Sequence, residues 1–333
     1  MSPKELTIGL PVGSHLTGQP SRQSQVWYAI AQRTLLAQAR RSSASADDQM
    51  FGDRLATVGR HINNLARLQR LRPVRGVRTR CTAVDGVLVE TISPPQTVAG
   101  GDAAIFYLHG GGFFCGSLDT HRHVAAGLAR RTGLPVVHVE YRQHPNATID
   151  QTLDDCLRAY RWLLEQGFAA ERTVLAGDSA GGFLAFATVL AAQKAGLGTP
   201  AGVVGLSPLL DLDGTQRAAH VNASRDPMGV GVGLSALIDC VGSAARDRDA
   251  ISPVNGDLRH FPSTLIVAAE SEALLSDAER MCEALRDNGR ECTLKVWPGQ
   301  LHGFPAMLPF LPESRAAIDV IVDFIGDRVP KVE

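Results

Sequence analysis

From residue 103 onward, short apolar runs alternate with helical stretches, and no other feature of this chain restricts its fold as strongly. The runs are Ala104–Leu108, Val136–Tyr141, Thr173–Ala176, Gly202–Leu206, Thr264–Ala268 and Thr293–Trp297. Nearly unbroken apolar character marks strands buried on both faces. Helices between successive strands carry the chain back, so the strands run mostly parallel with helices on each side. The spacing predicts those helices over 119–132, 150–166, 180–194, 233–245, 276–288 and 313–327. Ahead of them, Val77–Ala83 and Val87–Ile92 read as a hairpin turning at Val84-Asp85-Gly86. Further upstream, Val26, Ile30 and Leu35 and then Phe51, Leu55, Val58, Ile62, Leu65 and Leu68 recur at helical steps, which predicts amphipathic helices over 22–41 and 48–71. Gly- and Asp-rich residues 208–232 break the rhythm and read as an insertion beyond the sheet edge.

With 44% hydrophobic and 20% charged residues over 333 positions, the chain is neither disordered nor collagen-like. Its 33 basic and 34 acidic side chains nearly cancel, but unevenly. Residues 1–80 carry 13 basic and 4 acidic groups, a net of +9, and the remainder nets -10. A nucleic-acid-binding arm is one reading of such a basic front. Six cysteines without a C-x-x-C pair, in a chain too long to need staples, predict reduced thiols and a cytoplasmic protein. The first residues lack the apolar core of a secretory leader, and no run of about 18 apolar residues suggests a membrane span.

Three segments carry chemistry. Gly177-Asp178-Ser179-Ala180-Gly181 lies between an apolar strand and an Ala-rich helix, where a tight turn exposes a serine hydroxyl. A helix-capping serine between turn glycines is the plain alternative. His109-Gly110-Gly111-Gly112-Phe113 follows the strand ending at Leu108, and three glycines in a row let successive N–H groups converge on one anion. A phosphate loop would need Gly-Lys-Ser/Thr, which is absent from this run. His302, in Gln300-Leu301-His302-Gly303-Phe304, is the candidate base. Between serine and histidine, Glu270, Glu272 and Asp277 follow the strand Thr264–Ala268 and are the candidate acids.

These motifs together resemble the hormone-sensitive-lipase-like branch of the α/β-hydrolases, the H-G-G-G esterases, over roughly residues 77–328. The matching positions are His109–Gly112, Gly177–Gly182, Glu272-Ala273-Leu274 and His302-Gly303-Phe304. The resemblance implies an α/β-hydrolase fold with a mostly parallel central sheet, helices on both faces and an N-terminal helical cap. Residues 1–75 would be that cap and 76–330 the catalytic domain, with a cap or pocket insertion near 208–245. It implies a serine carboxylesterase acting on small to medium acyl esters through an acyl-enzyme. Ser179 would be the nucleophile, His302 the general base and Glu272 the acid that orients it, with Gly111, Gly112 and Ala180 as the oxyanion hole. No metal and no organic cofactor is needed.

Two departures stand out. The family usually places Asp where this chain has Glu272, with Asp277 as the fallback. Glu140-Tyr141-Arg142-Gln143-His144-Pro145 replaces the family's D-Y-R-L-A-P-E beneath the site. Phe113, Phe114, Met228, Leu234, Leu237, Ile238, Phe304 and Met307 flank the motifs as candidate pocket residues, with ordinary packing as the alternative. His121 and His123, two apart on a helix, point to different faces and make a poor metal pair; Cys115 reads as a structural thiol. An acyl transferase or amide hydrolase would use the same triad, and a non-catalytic ligand-binding protein on this fold would lack His302. The expected partner is a small-molecule ester, without nucleic acid or a membrane span, and a homodimer is compatible with the sequence.

Overall fold

A computed structural model describes residues 19–36, 48–68, 74–95, 101–242 and 248–330. Eight strands form one sheet: β1 (Arg78–Val84), β2 (Val87–Ser93), β3 (Ala104–Leu108), β4 (Val136–Glu140), β5 (Thr173–Asp178), β6 (Gly202–Leu206), β7 (Thr264–Ala269) and β8 (Cys292–Trp297). Their order is β1-β2-β4-β3-β5-β6-β7-β8. Both pairings of β2 are antiparallel, and all others are parallel. The predicted hairpin turns where Asp85 and Gly86 both take positive φ, 45° and 85°, the conformation that suits an Asp-Gly turn between twisted strands.

The unbroken apolar strands serve two cores. Ala104, Phe106 and Leu108 face one buried cluster, with Tyr160, Leu175, Phe183 and Phe186. Ile105 and Tyr107 face the other, with Val174, Val204, Ile321 and Ile325. The helices over these faces are α3 (Leu118–Thr132), α4 (Ile149–Glu165), α5 (Ala180–Lys194), α6 (Val230–Val241), α7 (Leu275–Asp287) and α8 (Pro312–Arg328), preceded by α1 (Arg22–Ala31) and α2 (Asp48–Arg67). Capping boxes at Ser117 and Thr148 start α3 and α4, each satisfying two otherwise orphaned N–H groups.

Three expectations need adjusting. The helix expected over 22–41 holds its α-helical form only to Ala31, then continues as one π-helical turn over Gln32–Leu36, and positions 37–41 lie outside the described residues. The insertion folds as short helical turns, Thr215–Ala219 and Val221–Ser224, leading into α6, and the tail of the helix expected over 233–245 falls partly outside the described residues. The third correction concerns the thiols. Cys282 and Cys292 form a disulfide, because α7 turns straight into β8 and brings the two Cα atoms to 5.3 Å. The reduced-thiol reading took scattered sequence positions for scattered positions in space.

Candidate functional site

Ser179 sits on the sharp turn between β5 and α5, at φ 53° and ψ -120°, a conformation that L residues avoid unless their surroundings impose it. Gly181 makes this turn feasible: a Cβ there would collide with the carbonyl oxygens of Leu108 and His109. Hydrogen bonds from Ser179 N to Leu206 O (2.9 Å) and from Leu209 N to Ser179 O (3.1 Å) pin the turn to the sheet. The capping alternative fails. Ser179 makes no side-chain cap bond; its Oγ lies 2.9 Å from Nε2 of His302 instead.

His302 follows the loop after β8, is buried, and meets Glu272 Oε2 through Nδ1 at 2.7 Å. The other oxygen of Glu272 accepts the N–H of Ala269 at 2.8 Å, which fixes the carboxylate at the end of β7. Burial by itself would depress the His302 pKa. The Glu272 hydrogen bond and charge outweigh that, with further help from Asp226 and Asp178, and the pKa stands above its ordinary value.

The other two acids lie elsewhere. Glu270 is exposed. Asp277 is buried at the start of α7, where it accepts the N–H groups of Leu210 and Asp211 and pairs with Arg217 at 3.0 Å. It holds the insertion to the body.

The glycine loop is organised from below by Asp178. This buried carboxylate accepts Gly110 N (3.0 Å), Tyr107 Oη (2.8 Å) and His121 Nε2 (3.2 Å). Burial works against its ionisation, but the charge and hydrogen bond of His121 and the Tyr107 hydroxyl bring its pKa down to about 2. The N–H of Gly110 is thereby committed to Asp178 and is not free to meet an oxyanion. Gly111 takes φ 129° and a Cβ there would strike the Cys115 carbonyl. Ala180 opens α5, where an N–H has no partner within its own helix. His109 is buried between Tyr141 and His121 and held neutral, its pKa pushed down to about 3 chiefly by burial and then by His121.

The altered segment after β4 still supports this loop. Tyr141 Oη donates to the His109 carbonyl, His144 N to Phe113 O at 2.8 Å, and Gln143 Nε2 to Gly116 O at 3.0 Å. His121 and His123 do diverge, to Asp178 and to the Ala306 carbonyl respectively. Cys115 is a structural thiol pushed up to about 12 by burial and Asp178.

The pocket candidates divide. Phe113 is buried edge-on against Phe183 and Phe304 packs beneath Trp297, so neither has surface to offer a ligand; both are core residues. Each follows a chain reversal that turns its side chain inward, Phe113 itself at φ 63° and Phe304 after Gly303 at the same angle. Leu234 and Ile238 are buried in the first core, whereas Leu237 and the half-buried Phe114 crowd Gly112. Met228 is half-buried next to Asp226, and Met307 is exposed beside Gly303.

Three supporting residues have no signature in the sequence. Asp226 accepts Ala273 N at 2.9 Å, Asn222 Nδ2 donates to the carbonyls of Glu270 and Glu272, and Ser207 Oγ accepts Gly303 N at 2.9 Å. All three lie far along the chain from the loops they brace. Their role is set by tertiary contact alone.

A serine, histidine and carboxylate in that chain order, on a strand-turn-helix elbow of a mostly parallel sheet, define a serine hydrolase of the α/β-hydrolase class. Residues 105–306 match the family model described as the alpha/beta hydrolase fold. Esterase LipU of Mycobacterium tuberculosis is 36% identical over 231 residues, covering 67% of this chain and 77% of that protein. Ethyl acetate hydrolase of Pseudomonas putida is 33% identical over 72% of this chain and 78% of its own length. The crystal structure of EstE7, a hormone-sensitive-lipase homologue from a metagenome library, superposes with a TM-score of 0.73 at 32% identity, covering 86% of this chain and 100% of that one. The chain belongs to the hormone-sensitive-lipase-like family of α/β-hydrolases. It is a serine carboxylesterase.

Proposed function

We propose that this carboxylesterase hydrolyses small to medium acyl esters through an acyl-enzyme on Ser179, with His302 as general base and then acid. Glu272 holds the imidazole in the tautomer that accepts the serine proton and compensates the charge that follows. The observation that carries this reading is the imidazole of His302 within hydrogen-bond reach of both Ser179 (2.9 Å) and Glu272 (2.7 Å). As Ser179 Oγ attacks the ester carbonyl, His302 Nε2 takes its proton. The carbonyl oxygen, now an anion, turns toward the N–H groups of Gly111, Gly112 and Ala180. Collapse expels the alcohol, which leaves with the proton from His302, and water repeats the sequence on the acyl-enzyme.

A non-catalytic binding protein would have no use for the Ser179–His302 hydrogen bond. Acyl transfer and amide hydrolysis use the same parts and differ in what accepts or donates the acyl group. The substrate range is tested with p-nitrophenyl esters of increasing acyl length. Short and medium chains should turn over steadily and long chains poorly. A stoichiometric burst that stalls until an alcohol or amine is added would replace hydrolysis by acyl transfer.

We also propose that residues 1–75 form a cap over the site and that the protein is cytoplasmic, with a small ester and no nucleic acid as partner; a homodimer is compatible with the sequence. Cell fractionation and sedimentation decide these. Among the described residues, no helix is long and apolar enough to cross a membrane.

The pH dependence follows from His302. Only the neutral imidazole accepts a proton, and its pKa is raised, so kcat/KM should fall on the acid side with a midpoint above the ordinary histidine value of 6.5. Activity is full above that midpoint and lost below it. An acid limb that reports a carboxylate range would assign the base to another residue.

A further inference from the structure

Much of the apolar stripe that makes α2 amphipathic in the sequence, Val58, Ile62, Leu65 and Leu68, is exposed. Its packed face consists of small residues: Ala56 and Ala66 are buried, Gly59 lies on the Phe114 carbonyl, and Asn63 Oδ1 accepts Gly116 N at 3.0 Å. Val58, Ile62 and Leu65 point outward, at 49%, 41% and 68% exposure. Helix α1 repeats the arrangement. Ser24 and Ala31 are buried, while Val26, Trp27 and Ile30 are exposed, and Trp27 meets the exposed Phe310 ring at 6.0 Å.

Both helices are anchored to loops that carry site residues. Ser24 Oγ lies 3.2 Å from Gln300 Oε1, two residues before His302, and the exposed Met307 lies beside Gly303. On the other side, α2 rests on the segment Phe114–Gly116 that continues the glycine loop. The exposed apolar surface therefore lies on two helices whose opposite faces are anchored to the histidine loop and to the glycine loop.

Basic residues outnumber acidic ones around these faces. Residues 19–36 contain Arg22 and Arg33 and no acidic residue, and 48–68 contain Arg54, Arg60 and Arg67 against Asp48 and Asp53. Exposed helices with apolar residues on one side and arginines around them suit the boundary of a lipid layer, where side chains enter the acyl region and cations meet anionic headgroups. A second copy of this chain would set arginine against arginine.

We propose that the exposed faces of α1 and α2 form a docking surface for anionic lipid, seating the catalytic opening on a lipid surface. This gives the basic front of the chain a partner of opposite charge. It is independent of the hydrolytic reading, because binding is read without substrate.

The experiment is co-sedimentation with vesicles of phosphatidylcholine alone and of equal parts phosphatidylcholine and phosphatidylglycerol. Binding is expected to the mixed vesicles and to weaken in high salt. The double variant Ile62→Asp/Leu65→Asp should lose more than about tenfold in apparent affinity, since each change removes an apolar contact and adds a repelled charge. Turnover of water-soluble p-nitrophenyl acetate serves as the check on its fold. If that variant does not fold, Arg60→Gln/Arg67→Gln reads the charge dependence instead and should weaken binding to the mixed vesicles only. Equal binding to both vesicle types, no binding to either, or self-association abolished by the apolar variant would each overturn the proposal.

Discussion

Replacing Ser179 by Ala is expected to lower kcat by about 10⁶ while the far-UV spectrum and thermal midpoint stay unchanged. The hydroxyl hydrogen-bonds to His302 across the elbow and contributes no helix cap, so its removal takes away the nucleophile without touching the backbone bonds that hold the turn. Alanine also keeps a Cβ of the same size at the positive φ, so strain at the elbow does not rise. Residual activity near the wild-type level would place the nucleophile elsewhere.

Glu272→Gln carries the second large effect, about 10⁴ in kcat. The amide preserves size and the bond from Ala269 N, but it presents no negative charge to His302 Nδ1 and can favour the wrong tautomer. The acid limb of the pH profile should also shift downward, because the hydrogen bond and charge that raise the His302 pKa against burial are then gone. Asp277→Asn provides the contrast. It removes the charge partner of buried Arg217, so stability should drop by about 3–5 kcal/mol, the scale for breaking a buried pair, with kcat per folded molecule nearly unchanged. Loss of kcat with stability intact in Asp277→Asn, and the reverse in Glu272→Gln, would exchange their roles. Denaturant midpoints measured alongside turnover separate the two outcomes.

Much of the architecture was legible because parallel strands covered on both faces must be apolar throughout. Ala104–Leu108 and Gly202–Leu206 match their strands residue for residue for that reason. The insertion was not legible in the same way. Its short turns at Thr215–Ala219 and Val221–Ser224 are held by side chains from distant segments, as when Arg217 pairs with Asp277. Helix α2 shows a different limit of sequence reading. Its periodicity matches the secondary structure, yet Val58, Ile62, Leu65 and Leu68 are exposed while Ala56, Gly59 and Ala66 pack, because close approach to the Phe114–Gly116 segment leaves room only for small side chains. Periodicity reports that a helix has two faces and does not report which one is covered.

The sequence by itself determined the sheet, the elbow bearing Ser179, the glycine loop and His302, because each depends on residue types at fixed local spacing: glycine where a Cβ collides, a small apolar run where both faces are buried. Tertiary structure alone decided that Phe113 and Phe304 turn into the core, that Cys282 reaches Cys292, and that Asp226, Asn222 and Ser207 brace the site. Those outcomes turn on where loops separated by tens of residues come to rest, and hydrogen bonds of about 3 Å between such loops leave no periodic trace in the chain.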